Sequence, residues 1–262
     1  MFDAHAHLQD PRLAAHLTQI LDAAEAAGVR AICSCATSPD DVAGVQALPR
    51  EWKSLRITRA YGTHPWHVVG LATHWLDPIE AALAADPSAC VGEVGLDGIR
   101  KEVPFELQRE VLAAQLELAA RLQRPVIFHG ARVWGKLLEF LKPHAPRLPG
   151  LLLHNFSGSP EILREFLRLG ASFSFSGSVC NPQNKSARAV ASLVPLPQLM
   201  VETDSPDLGF IAGAPFNQPA NLPLVIDALA QLRSVASADL CHATEENARR
   251  FFYGFQNNPS WN

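Results

Sequence analysis

A chain of 262 residues with 48% hydrophobic and 18% charged side chains can bury a large core, which excludes wholesale disorder and a disulfide-stapled miniprotein. Its net charge of −4 argues against coating nucleic acid or an anionic membrane by bulk electrostatics, so any phosphate chemistry must be local. Five cysteines scattered through apolar segments read as reduced cytoplasmic thiols, and neither a leader pattern at Met1-Phe2-Asp3-Ala4-His5 nor an uncharged apolar run of bilayer length is visible, so no membrane partner is expected.

Short runs rich in branched residues alternate with helix-periodic segments from residue 2 to residue 203, the rhythm of βα units around a parallel sheet. In chain order, strands are expected over 2–7, 29–35, 56–62, 90–96, 125–129, 151–154, 172–176 and 198–203. Val126-Ile127-Phe128 and Leu151-Leu152-Leu153 are apolar at successive positions, as parallel strands covered on both faces require. The clearest amphipathic helix covers 105–122, with Leu107, Val111, Leu112, Leu116, Ala119 and Leu122 mostly at helical spacing. After the eighth strand come a Gly-, Pro- and Asn-rich loop over 205–223, helices near 223–233 and 244–253, and a tail over 257–262 expected to fray. Eight βα units, with no G-x-G-x-x-G or P-loop pattern after any strand, favour an α/β fold of the (β/α)8 TIM barrel type. A single domain over 1–262 is expected, rather than an open doubly wound sheet.

A barrel gathers its functional side chains at the C-terminal ends of its strands. His5 and His7 end the first strand two residues apart, which puts both imidazoles on one face. Glu93 lies in the fourth, His129 ends the fifth, His154 the sixth, and Asp204 follows the eighth. Alone, an H-x-H pair or a histidine at a strand end is weak, and Glu93 could be half of a buried hydrogen-bonded pair. Yet an ionised carboxylate among apolar neighbours costs several kcal/mol unless a cation or donors meet it. Convergence of all six on one end of five strands points to a metal site. Four imidazoles and two carboxylates exceed the needs of one tetrahedral ion with an open position, and suffice for two adjacent divalent ions sharing a carboxylate. In such a site Glu93 and Asp204 are the expected catalytic carboxylates, Asp204 taking a proton from the attacking water and returning it to the leaving group.

The segments Asp3-Ala4-His5-Ala6-His7-Leu8, Gly62-Thr63-His64-Pro65, Gly92-Glu93-Val94-Gly95-Leu96-Asp97, Pro125-Val126-Ile127-Phe128-His129, His154-Asn155-Phe156-Ser157-Gly158, Glu202-Thr203-Asp204-Ser205-Pro206, Asn221-Leu222-Pro223 and Glu246-Asn247-Ala248-Arg249-Arg250 together resemble the ordered motif set of the TatD family of metal-dependent deoxyribonucleases. The resemblance spans nearly the whole chain. It implies a barrel of the amidohydrolase superfamily and hydrolysis of DNA phosphodiesters, often exonucleolytically. It also implies one metal held by His5, His7, Glu93 and Asp204, and another by His129, His154 and the shared Glu93. Magnesium is implied by the family, whereas the imidazole-rich donors suit zinc or manganese better. His64 is implied as a substrate-phosphate contact. Three positions depart from the family pattern. Gly98 replaces the common Tyr after Gly-Leu-Asp, Gly130 and Ala131 stand before Arg132 where an Arg is usual two residues after the histidine, and Phe216-Asn217-Gln218-Pro219 replaces Arg-Asn-Glu-Pro.

Arg12, Arg100, Lys101, Arg132 and Lys185 fall in loops on the same barrel face and could meet phosphates, while Trp66, Phe156, Phe210 and Phe216 could stack on bases. Arg132 and Phe156, with His64, are the leading substrate contacts. Cys33 and Cys35 read as buried thiols, Glu202 as a support beside Asp204, and His16, His67, His74, His144 and His242 as remote from the cluster. The function expected is a cytoplasmic metal-dependent phosphodiesterase, an exonuclease acting on DNA ends and compatible with a monomer. The alternatives are a hydrolase of a small amide, lactone or phosphoester, and a non-catalytic metal-binding partner protein.

Overall fold

The computed structural model describes residues 1–257. Its centre is a sheet of parallel strands closed into a barrel: β1 (Phe2–Ala6), β2 (Ala31–Cys35), β4 (Leu55–Tyr61), β5 (Cys90–Asp97), β6 (Val126–Ala131), β7 (Leu151–Leu153), β8 (Ser172–Phe175) and β9 (Leu199–Val201), paired in that order. Closure comes just past β9, where Ser205 bridges Ala6 and the Asp204 amide donates to the His5 carbonyl at 2.9 Å. The eight expected strands are therefore present. An additional one, β3 (Glu51–Trp52), pairs antiparallel with β4, and its two residues are too few and too exposed to show a hydrophobic period.

The helices are α1 (Pro11–Ala14), α2 (Leu17–Ala26), α3 (Val42–Ala47), α4 (Asp77–Ala85), α5 (Phe105–Leu122), α6 (Trp134–Leu141), α7 (Pro160–Arg168), α8 (Lys185–Leu193), α9 (Leu222–Arg233) and α10 (Ser237–Tyr253). Helix α5 coincides with its expected range, whereas α10 starts at Ser237 rather than near 244. None of the helices among the described residues is long and apolar enough to cross a membrane. Of the tail expected to fray, 258–262 lie outside the described residues, and Asn257 closes a 3-10 turn over Gly254–Asn257.

Successive residues of a strand face opposite sides, so Leu151 and Leu153 pack outward against the helices while Leu152 points into the barrel. There it meets Ala4, Cys33, Ala60, Cys90, Ile127 and Met200, an apolar plug in the lower barrel. Helix α10 covers this end, with Phe252 stacked on Phe2 at 4.8 Å. Each large apolar side chain buried here contributes about 1.5–3 kcal/mol. The polar ends of the same strands are left to build a site at the other mouth.

Candidate metal centre

On β1 plain alternation would set His5 opposite Ala4, but the pairing with β2 shifts register between Asp3 and Ala6, and there His5 and His7 come to the C-terminal mouth, both buried. Their Nε2 atoms lie 3.2 Å apart; Glu93 Oε2 is 3.4 and 3.6 Å from them, and Asp204 Oδ1 3.6 and 3.5 Å. His5, His7 and Glu93 are thus close enough for one ion to touch all three, with Asp204 beside both imidazoles. Asp204 reaches this position with φ 58°, a left-handed backbone anchored next door by Thr203, whose hydroxyl donates to Asp3 Oδ2 at 2.6 Å.

The other oxygen of Glu93 serves a second set of donors. His154 Nε2 is 2.8 Å, His129 Nδ1 3.1 Å and His64 Nε2 3.5 Å from Glu93 Oε1, with the first two 3.5 Å from one another. Three-residue groups able to hold an ion occur on both sides of Glu93, with His5, His7 and Glu93 on one and His64, Glu93 and His129 on the other, and a third group, His5, His154 and Asp204, spans the two. Strands β5 and β6 approach closely enough for this because Gly95 faces His129. At φ 151°, and with the His129 carbonyl where a Cβ would stand, that position admits no side chain.

Each imidazole is held through its remaining nitrogen. His7 Nδ1 lies 2.8 Å from the Cys35 carbonyl, His5 Nδ1 3.3 Å from the Cys35 thiol, His154 Nδ1 3.3 Å from Glu202 Oε1, and His129 Nε2 2.9 Å from Asp97 Oδ2. The Ser174 hydroxyl donates in turn to Glu202 Oε2. Outer partners of this kind fix the ring orientation of metal-ligating histidines.

The electrostatics call for a cation. Burial pulls His7 down, but Asp204 and Glu93 outweigh it and push the imidazole up to about 9. His154 rises well above its usual value because Glu93 and Glu202 outweigh burial in the same way. Burial favours a neutral Glu93, yet His154, His64 and His5 hold its carboxyl well below the usual range. Desolvation lowers His5 and His64. At His129 burial is likewise outweighed, by Asp97 and Glu93. The carboxylates stay ionised while His7, His154 and His129 favour their protonated forms, positive charge that a divalent ion would supply when bound. In donor type, spacing and charge the residues fit such an ion.

A cavity of about 820 Å³ opens above the cluster and is lined by Glu93, Asp204, His64, His129 and His154 among others. Arg132 stands exposed on its wall. Phe156 does not. Its ring is 1% exposed and packs against Trp134, Phe166 and Phe173, so the expected base contact is corrected to a core residue beneath the loop. Arg12 lies on the rim with its guanidinium held between Asp10 and Asp207, which cancels much of its charge. The Arg100 guanidinium sits 3.9 Å from the centre of the Trp66 ring, and that indole lines the cavity. Lys101 and Lys185 are exposed and outside the lining, Phe210 covers Gly177, and the Phe216 ring lies 6.0 Å from His16.

His67 departs from expectation by lining the cavity, its ring 6.4 Å from His64. His74, His144 and His242 lie beside Asp77, Glu117 and Glu246, away from the cluster. Asp97 is the site residue that sequence reasoning passes over, although the strand period puts Glu93, Gly95 and Asp97 on one face. One family departure has a structural counterpart, since a Cβ at Gly98 would stand 2.6 Å from a Val133 methyl. In the segment over 216–219 the residue shared with the family pattern, Asn217, donates to the Thr203 carbonyl at 2.7 Å and braces the segment that carries Asp204.

The family model described as TatD related DNase matches residues 2–253. A protein of Yersinia pseudotuberculosis named 3'-5' ssDNA/RNA exonuclease TatD is 32% identical over 262 aligned residues, covering 96% of this chain and 99% of that one. The Escherichia coli YjjV protein, named an uncharacterized metal-dependent hydrolase, is 33% identical over 255 residues, covering 95% and 96%. The crystal structure of YjjV, described as a TatD homologue, superposes with a TM-score of 0.89, covering 96% of this chain and 97% of that one. With a barrel whose mouth carries these donors and a family match from end to end, the chain belongs to the TatD-related DNase family and is a metal-dependent hydrolase.

Proposed function

We propose that this enzyme hydrolyses phosphodiester bonds at the ends of DNA strands, as an exonuclease, with two divalent ions held on opposite oxygens of Glu93. The observation that carries the reading is the division of labour at that carboxylate. Oε2 faces His5 and His7 while Oε1 faces His129 and His154, the arrangement of a bridging ligand. When bound, a pair of divalent ions lowers the pKa of water and neutralises charge on a phosphoryl group. The chain's own residues do the rest. His5, His7 and Asp204 would hold one ion, and His129 and His154 the other. Asp204, ionised and at the cavity floor, accepts the proton of the attacking water and passes it to the departing oxygen. His64 Nε2 and the Arg132 guanidinium orient the phosphate, and Trp66 offers a face for an unpaired base.

The relative named 3'-5' ssDNA/RNA exonuclease supports a nucleic-acid substrate, and five unpaired cysteines are in keeping with a cytoplasmic enzyme. Zinc or manganese suits the imidazole donors better than magnesium. The test is to load the metal-free protein with each ion and offer end-labelled single-stranded and duplex oligonucleotides beside small esters and amides. Laddering from one strand end is expected. Turnover of the small substrates alone would contradict the proposal.

A further inference from the structure

Asp97 closes β5, is 2% exposed, and has every oxygen engaged. Its Oδ1 accepts from the amides of Ile99 at 2.6 Å and Arg100 at 3.0 Å. Its Oδ2 takes the Trp66 indole N–H at 2.9 Å and lies 2.9 Å from His129 Nε2. The main chain is clamped as well, since the Asp97 amide donates to Gln108 Oε1 at 2.8 Å and Gln108 Nε2 donates to the Asp97 carbonyl at 3.1 Å. An indole nitrogen can only donate and an ionised carboxylate can only accept, so the proton shared with His129 belongs to Nε2. A neutral His129 then turns the bare lone pair of Nδ1 toward Glu93 Oε1, 3.1 Å away. Two acceptors facing each other at that distance repel unless a cation or a proton lies between them.

We propose that Asp97 is the positioning residue of the His129 side of the site. It fixes the tautomer and ring plane that aim Nδ1 at an ion shared with Glu93, and the same oxygen ties Trp66 at the cavity mouth to that metal ligand. The metal-binding edge and the base-facing edge of the site are thus joined through one carboxylate. The inference rests on the two-ion reading. Replacing Asp97 by Asn keeps the shape but allows an amide N–H to donate to His129 Nε2. The proton then moves to Nδ1, where it bonds to Glu93 and competes with the ion.

The test uses the full chain, metal-free and titrated with Zn2+ alone, in wild type, Asp97→Asn and Trp66→Phe. Nitrogen chemical shifts of the histidine rings report the tautomer, and a competing chelator reports zinc affinity. In the zinc-loaded wild type His129 is expected to carry its proton on Nε2, and its Nδ1 resonance to shift as zinc binds. In Asp97→Asn the tautomer switches and zinc affinity of the His129 set falls roughly 10–100-fold, while the His5 and His7 set changes less than about threefold. Trp66→Phe leaves the tautomer and both affinities as they are, which separates positioning from general loosening of the loop. An unchanged tautomer and unchanged zinc affinity in a folded Asp97→Asn protein would overturn the inference. Uptake of a single zinc by the wild type would instead remove the two-ion reading, and the His129 nitrogen shifts in the two proteins would still decide whether Asp97 positions the ring.

Discussion

The two ends of the barrel are built from the same strands and do opposite things. At the lower end Ala4, Cys33, Ala60, Cys90, Ile127, Leu152 and Met200 exclude water, and α10 covers them. At the upper end the chain departs into loops, and His5, His7, Glu93, His129, His154 and Asp204 turn toward one another. Two to four residues along a strand separate apolar packing from concentrated charge. What differs is whether a buried group needs a partner. The plug is satisfied by contact alone, whereas the mouth holds carboxylates and imidazoles whose opposed lone pairs need a cation or a proton between them. Stability and chemistry can therefore be damaged separately.

The largest effect is expected at the carboxylate that joins the two donor sets. Glu93→Gln removes a negative charge from both sides at once, and steady-state hydrolysis should fall on the order of a thousandfold or more. Near-normal turnover would erase the distinction between the ends. Leu152→Ala is the counterpart in the plug. It should cost about 2–5 kcal/mol in denaturant unfolding while leaving kcat/KM of the folded fraction unchanged.

A smaller effect follows from protonation. His7 keeps its proton up to about pH 9 in the metal-free protein, and a bound ion must displace it. Affinity should therefore rise with pH, about tenfold per unit for each proton displaced, and level off above that value. Calorimetric titration at several pH values measures this, and a flat profile from pH 6 to 9 would contradict the assignment of His7 as a ligand. Smallest is the rim. Arg12→Ala breaks its links to Asp10 and Asp207 and should change stability by less than about 1 kcal/mol in thermal denaturation, because the pair is largely solvated.

The separation of ends also explains what could be read before the fold was known. Strand positions and the gathering of His5, His7, Glu93, His129, His154 and Asp204 at one mouth are legible because parallel βα units repeat a local hydrophobic pattern and the strand period places His5 with His7 on one face. Glu93 stood out because a carboxylate between Val91 and Val94 demands a partner. Phe156 was not legible: one residue beyond the His154–Asn155 corner, a ring can turn inward or outward, and the decision belongs to Trp134, Phe166 and Phe173, elements far off in sequence. Asp97 escaped for a related reason. Its partners Trp66 and His129 are 31 and 32 residues away, and only barrel closure brings them to one oxygen. Pairing of charged rim groups, as in Arg12 with Asp207 across 195 residues, is likewise a property of the assembled loops.

On the proposed two-ion reading, Glu93 carries a divalent ion on each of its two oxygens. Anomalous diffraction from crystals of the zinc- or manganese-loaded protein, collected on either side of the metal absorption edge, addresses it directly. Two peaks are expected flanking the Glu93 carboxylate, one beside His5 and His7 and one beside His129 and His154. A single peak, or metal bound away from Glu93, would contradict it.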